Sequence, residues 1–188
     1  MASEWSISEP TSDDLASACQ LLAETITDAF RREGIGHLQD ELCQEIAHKT
    51  DLLRMAVDGV ESDFYFLVIK AGHDVIGTIS YGPPNDLIGA LSGNKLKLVG
   101  EMGNIYVLPS HQGRGVASSL IDAMLEHLYE AGVERFCLDS GYKLAQETWR
   151  RRFGAPSILA RDHWGENSHH MIWYRDVASE RLANPRYH

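Results

Sequence analysis

Asn104-Ile105-Tyr106-Val107-Leu108-Pro109-Ser110-His111-Gln112-Gly113-Arg114-Gly115-Val116-Ala117 is the stretch on which the reading of this chain turns. An apolar strand runs into a proline, a short polar turn and a glycine pair. An amphipathic helix then follows, with Val116, Leu120, Met124 and Leu128 at four-residue spacing and Gly132 as its stop. The first turn of such a helix leaves about four backbone N–H groups unpaired. Together with the positive end of the helix dipole they favour an anion. Gly113 and Gly115 carry no side chain, so a diphosphate can approach the backbone closely, and small Ala117, Ser118 and Ser119 leave room beside it.

Three phosphate motifs must be told apart. A P-loop requires Gly-Lys-Ser/Thr, whereas Gly115 is followed by Val116-Ala117. A dinucleotide fingerprint requires Gly-x-Gly-x-x-Gly in the first strand–helix unit; here the third position is Ser118 and the segment lies late in the chain. What remains is Gln-x-x-Gly-x-Ala, filled by Gln112, Gly115 and Ala117. A glycine-softened turn that binds nothing is the plain alternative.

Working outward, the pattern before this stretch is helical and then strand-like. Trp5-Ser6-Ile7-Ser8 alternates apolar and polar residues until Pro10. Thr11 and Asp14 make a capping box ahead of the stripe Leu15, Ala18, Leu22, Ile26 and Ala29. A second stripe runs through Leu38, Leu42, Ile46, Lys49, Leu53 and Ala56 to Gly59. Strands are expected over Phe64–Lys70 and Val75–Tyr81, joined by the turn Ala71-Gly72-His73-Asp74. Gly82–Asn94 reads as a loop and Lys95–Leu108 as one long strand. Beyond the central helix, Val133–Asp139 predicts a strand, Leu144–Phe153 a helix, and Ser157–Arg161 and His170–Asp176 two more strands. The order is α/β, around one central sheet.

The chain of 188 residues is long enough for one domain, 1–188, with its own core, and no apolar run reaches the ~20 residues of a membrane helix. Met1–Pro10 lacks the basic region of a signal peptide. Cys19, Cys43 and Cys137 are scattered with no Cys-x-x-Cys pair, which points to a reducing, cytoplasmic location. A formal net charge of −10 disfavours nucleic-acid binding and favours a cationic partner. Eight acids lie between Asp13 and Glu45, and solvated helix faces account for them most simply. His163, His169 and His170 have no accompanying metal-ligand spacing, so no metal is expected. Arg150-Arg151-Arg152 suits the C-terminal turn of a helix, and Trp164 and Trp173 suit a core or a pocket wall.

The hexapeptide Gln112–Ala117, with Ile105-Tyr106-Val107-x-Pro109 before it and Leu120-Ile121 after it, resembles the coenzyme A signature of the GNAT N-acetyltransferase superfamily. The two leading helices and the strand order extend the resemblance over nearly the whole chain. It implies a single-domain fold with a mixed, mostly antiparallel sheet of about seven strands flanked by about four helices. It implies acetyl-coenzyme A as co-substrate. The backbone of Gln112, Gly113, Arg114, Gly115, Val116 and Ala117 would hold the pyrophosphate, and the strand Ile105, Tyr106, Val107 would pair with the pantetheine arm. In the family a bulge splays that strand from the next, the one expected here at Val133–Asp139, and the cofactor enters the gap.

By the same resemblance Glu101, eleven residues before Gln112, stands where several members carry a general base. The other reading of Glu101 is an exposed acid at a strand start. Many members place an acidic tyrosine in Asn-x-x-Ala-x-x-x-Tyr-x-x-x-Gly-Phe. Aligned on Gly154, this chain has Lys143, Gln146 and Arg150 at the first three named positions, so it departs from the pattern. Tyr142 is the nearest phenol and the candidate acid, with water or a packed aromatic as the alternatives. The family's acceptor groove corresponds to Asp13–Glu45 and Ala160–Trp173. Its acidic and aromatic character suits a primary amine: a small amine, amino acid derivative or amine-bearing antibiotic, and less readily a protein amine. A coenzyme A-binding sensor without activity, or a purely structural domain, would share parts of this pattern. Dimers are common in the family, which leaves a homodimer open.

Overall fold

The computed structural model describes residues 5–59 and 62–183. The N-terminal reading of Met1–Pro10 therefore rests partly on residues 1–4, outside the described residues. Seven strands and six α-helices are present among the described residues: β1 (Ser6–Ser8), α1 (Leu15–Arg32), α2 (Gln39–Asp58), β2 (Tyr65–Ala71), β3 (Asp74–Gly82), α3 (Asp86–Leu91), β4 (Glu101–Val107), α4 (Val116–Glu130), β5 (Arg135–Ser140), α5 (Lys143–Phe153), β6 (Ile158–Ala160), β7 (His170–Asp176) and α6 (Val177–Leu182). The strand order is β1-β2-β3-β4-β5-β7-β6. Pairs β1–β2, β2–β3, β5–β7 and β6–β7 are antiparallel, and β4–β5 is parallel with Glu101 opposite Cys137. This is the expected mixed, mostly antiparallel α/β sheet.

The chain forms two compact units. One comprises the residues up to Tyr81 together with Asn104–Met124. Here the Asp14 carboxylate accepts from the N–H of Thr11 at 2.9 Å and from its Oγ1 at 3.0 Å, and α1 begins directly after it. Ala18, Leu21, Leu22, Ile26 and Phe30 form its buried face, and α1 ties to the sheet where Val75 N–H donates to Ser17 Oγ at 2.9 Å. Gly72 turns the β2–β3 hairpin at φ 64°, with Ala71 opposite Asp74. Gly77 serves a different purpose. A Cβ there would lie 2.9 Å from Ile69, 3.0 Å from Leu120 and 3.1 Å from Val116, so its bare backbone lets the first turns of α4 pack on the sheet.

The other unit comprises Gly82–Gly103 and the chain from Leu125 onward. Its core joins Ile88, Leu96, Cys137 and Ile172, with Phe136 edge-on to Phe153 at 5.7 Å. Trp173 is wholly buried, and its indole N–H donates to Gly154 O at 2.9 Å. Two sequence expectations change here. The glycine-rich loop contains the short helix α3, because Asn85 caps it by accepting from Ile88 N–H at 3.0 Å. Lys95–Gly100 are turns rather than the first half of a long strand; β4 begins only at Glu101. Helix α6, started by the Asp176 side chain accepting from Ser179 N–H, is a further element outside the sequence expectations. The four longer helices match the expected number.

Candidate active site

Strand β4 leaves its extended course at Asn104, whose φ is 50°. Asparagine tolerates this left-handed backbone better than most residues. Asn104 Nδ2 donates to Ser80 Oγ at 2.7 Å, and its carbonyl accepts from Thr78 Oγ1 at 2.9 Å, so two residues of β3 hold the kink. Asn104 Oδ1 is buried without a hydrogen-bond partner among the described residues. The simple alternation that would set Glu101, Gly103 and Ile105 on one face is broken at this point.

Leu108 N–H donates to Ile76 O at 3.1 Å, and Pro109–His111 form one 3-10 turn. Gln112, Gly113, Arg114 and Gly115 follow as an exposed turn, with φ 73° at Gly113 and 87° at Gly115. A Cβ at either glycine would meet nothing within 4 Å; backbone conformation, rather than crowding within the protein, calls for glycine there. The first i→i−4 bond of α4 runs from Ser119 to Gly115 O at 2.9 Å. The N–H groups of Val116, Ala117 and Ser118 precede it, in the turn that has no intrahelical acceptor. Val116 anchors the turn with 1% exposure.

The Gln112 side chain fastens this turn to β4: its Nε2 donates to Val107 O at 3.1 Å, while its Oε1 accepts from Arg32 at 3.4 Å. Arg32, oriented by Asp28 at 2.6 Å, thus sets a cation beside the turn. Sequence spacing offered no signal for Arg32, because 80 residues separate it from Gln112. The donors on offer are neutral N–H groups and a guanidinium, which fits an anion such as a diphosphate.

Glu101 and Tyr142 lie in the second unit. Glu101 Oε2 accepts from both nitrogens of Asn85, at 2.8 Å from the backbone and 3.1 Å from Nδ2. Asn85 Nδ2 also reaches Asp139 Oδ2 at 3.1 Å, and that oxygen lies 2.8 Å from His170 Nε2. Burial pushes the neighbouring Cys137 thiol up to about 12, with the Glu101 and Asp139 carboxylates adding to the effect. Tyr142 is the N-cap of α5, its N–H bound to Ser140 Oγ at 3.0 Å. Where the family pattern has alanine, Gln146 is buried and donates to Ser140 O and His169 O, both at 2.9 Å. Trp149 packs against Phe153, Arg150 is exposed, and Arg150–Arg152 occupy the last turn of α5. Of the two expectations for Trp164, the core is excluded, since the residue is 58% exposed within a turn, and the pocket wall remains.

The sequence matches the acetyltransferase (GNAT) family over residues 26–155, more than half of the chain. The chain belongs to that family. Its members are N-acetyltransferases, and acetyl-coenzyme A is their cofactor. No curated protein matches the sequence. Solved structures of similar fold include the PaiA N-acetyltransferase of Thermoplasma acidophilum in complex with coenzyme A (TM-score 0.65, 12% identity, 91% of this chain and 99% of that one). A spermidine N-acetyltransferase chimera of the Vibrio cholerae and human enzymes aligns at TM-score 0.62 and 15% identity, over 97% and 100% of the two chains. An aminoglycoside 6'-acetyltransferase type Ii aligns at 0.60 and 11% identity, over 92% and 97%. No helix among the described residues of this GNAT protein is long and apolar enough to cross a membrane.

Proposed function

We propose that this GNAT protein transfers the acetyl group of acetyl-coenzyme A to the primary amine of a small molecule, with the Gln112–Ala117 turn as its diphosphate cradle. The observation that carries this is the turn itself: two positive-φ glycines, an open first turn of α4 and a neighbouring arginine. When bound, the cofactor supplies a thioester, whose acyl carbon is already activated and whose sulfur leaves readily. The chain's own task is then positioning and proton management.

In this reading the turn from Gln112 to Ala117 binds the diphosphate through the N–H groups from Gly113 onward, the Gln112 N–H already donating to Pro109 O at 3.4 Å, and Arg32 and Arg114 add positive charge. The main chain of Ile105 and Val107, either side of Tyr106, pairs with the pantetheine arm. Val107 O already accepts from Gln112, and a carbonyl has a second lone pair for another donor. The Glu101 carboxylate takes the proton that an ammonium acceptor must lose before attack. Tyr142 Oη supplies a proton on the leaving side. The net charge of −10 favours a cationic acceptor, and the polyamine and aminoglycoside enzymes of similar fold act on such amines by their names. Three free cysteines, Cys19, Cys43 and Cys137, support a reducing, cytoplasmic setting.

The test is a thiol-release assay over polyamines, aminoglycosides and amino acid derivatives, alongside thermal melts with acetyl-coenzyme A. A ligand at 100 times its Kd adds about 2.7 kcal/mol, or about 5–10 °C for a chain this long. Glu101→Gln is expected to cut turnover at least tenfold with cofactor affinity intact. A melt unmoved by the cofactor, or no thiol released with any amine, would refute the reading.

A further inference from the structure

Beyond that reading, and resting on its assignment of Glu101, the second unit contains a chain of side-chain hydrogen bonds that no part of the family signature requires. It starts at Trp164, whose indole N–H donates to His170 Nδ1 at 3.1 Å. An indole nitrogen can only donate, so His170 Nδ1 is an acceptor and the imidazole proton sits on Nε2. That N–H points at Asp139 Oδ2, 2.8 Å away, from a ring that is 5% exposed. Asp139, on β5, is the acceptor at the end of this chain.

The same Asp139 oxygen accepts from Asn85 Nδ2 at 3.1 Å. The orientation of the Asn85 amide follows from its other contacts. Its Oδ1 accepts from Ile88 N–H at 3.0 Å as the cap of α3, so Nδ2 must face the carboxylates. One proton of that amide serves Asp139 and the other Glu101 Oε2 at 3.1 Å, while the Asn85 backbone N–H reaches the same Glu101 oxygen at 2.8 Å. Every polar group of the Asn85 side chain is thereby engaged. The far end is shaped just as closely, since a Cβ on Gly141 would fall 2.7 Å from Trp164 Nε1.

We propose that Asn85 is the positioning residue of Glu101, and that Asp139, held by His170 and Trp164, locks the Asn85 amide in place. Two donors from one residue on one carboxylate oxygen fix the rotamer of Glu101 and favour its charged form. A general base needs both, because it must stand ready and unprotonated near neutral pH. Asn85 itself exchanges no proton with substrate. The Trp164–His170–Asp139 chain explains why two carboxylates are tolerated around one amide: Asp139 draws its second donor from His170, not from the acceptor amine.

The informative variant is Asn85→Ser. Serine still caps α3, and its backbone N–H still reaches Glu101; only the bridging amide is lost. The expected result is a roughly tenfold drop in kcat at pH 7, with acetyl-coenzyme A affinity and melting temperature close to wild type. The acid limb of the kcat profile moves to higher pH, because removing a donor favours the protonated carboxyl. Carbon-13 NMR of the Glu101 carboxyl reads the same movement directly, without turnover. Asp139→Asn, neutral and of equal size, removes a like charge beside Glu101, which lowers the Glu101 midpoint, and frees the Asn85 amide, which lowers kcat several-fold; it serves if Asn85→Ser folds poorly. Unchanged pH profiles and NMR midpoints in both variants, with Glu101→Gln slow, would overturn this inference alone. Wild-type turnover in Glu101→Gln would overturn the assignment of Glu101, and this inference with it.

Discussion

Gly115→Ala is the substitution that most directly tests the cradle. At φ 87° an alanine sits in the left-handed region, which costs about 1–2 kcal/mol for a residue with a Cβ. Nothing lies within 4 Å of that Cβ, so no steric clash inside the protein adds to the cost. If the turn holds its shape, the melting temperature drops by about 2–4 °C per kcal/mol, and the new Cβ stands in the open space where the diphosphate must approach, which weakens binding. If the turn relaxes toward negative φ, the N–H groups that face the ligand turn away. Losing one N–H bond to a charged phosphate costs about 1.5–3 kcal/mol, or about ten- to a hundredfold in Kd. Calorimetric titration with coenzyme A and a thermal melt separate the two. Gly34 provides the control: its φ is 75°, a Cβ there also meets nothing within 4 Å, and it follows α1 rather than opening α4. Gly34→Ala should lower the melting temperature by a similar amount and leave Kd unchanged. If Gly115→Ala bound coenzyme A within a factor of two of wild type while melting like Gly34→Ala, the diphosphate would not sit on this turn.

Three further outcomes are expected. Burial alone would raise the carboxyl of Asp14, but Thr11 and the Lys70 ammonium at 3.0 Å outweigh it and hold it below the ordinary range. Its stabilisation is therefore complete above the unfolded value of 3.8 and disappears as pH falls through the lower folded value. Asp14→Asn should cost about 2 kcal/mol at pH 7, about 6 °C in melting temperature, with the difference shrinking in acid melts; a difference independent of pH would contradict the pairing. Native alkylation followed by mass spectrometry should label exposed Cys43 and spare Cys137, whose buried thiol is pushed up to about 12 and faces Val99 O and Gly100 O at 3.5 Å. Tyr142→Phe is expected to lower kcat several-fold with little change in melting temperature, since the α5 cap uses the Tyr142 backbone; unchanged kcat would leave that proton to water.

The local chemistry of the cradle could be read from sequence because it depends on neighbours in the chain. Proline ends β4, glycines permit positive φ, and an apolar stripe continues as α4, all within about fifteen residues. The capping of α1 by Thr11 and Asp14, the Gly72 hairpin and the four long helices belong to the same short-range class. Helix α3 is not legible in the sequence because six residues are too few to show periodicity, even with Asn85 as its cap. Likewise Lys95–Gly100 is apolar enough to suggest a strand, yet it turns back to bury Leu96 against Ile88 and Cys137.

The environment of Glu101 belongs to tertiary structure. Resemblance to the family could nominate the residue eleven positions before Gln112, but Asn85, Asp139, His170 and Trp164 come from a helix cap, two strands and a turn spread from residue 85 to residue 170. Hydrogen bonds act over about 3 Å and are blind to separation along the chain. Arg32 beside Gln112 is another such case. Sequence by itself determined where the glycine turn that opens α4 forms; only the folded sheet decided which side chains surround the Glu101 carboxylate.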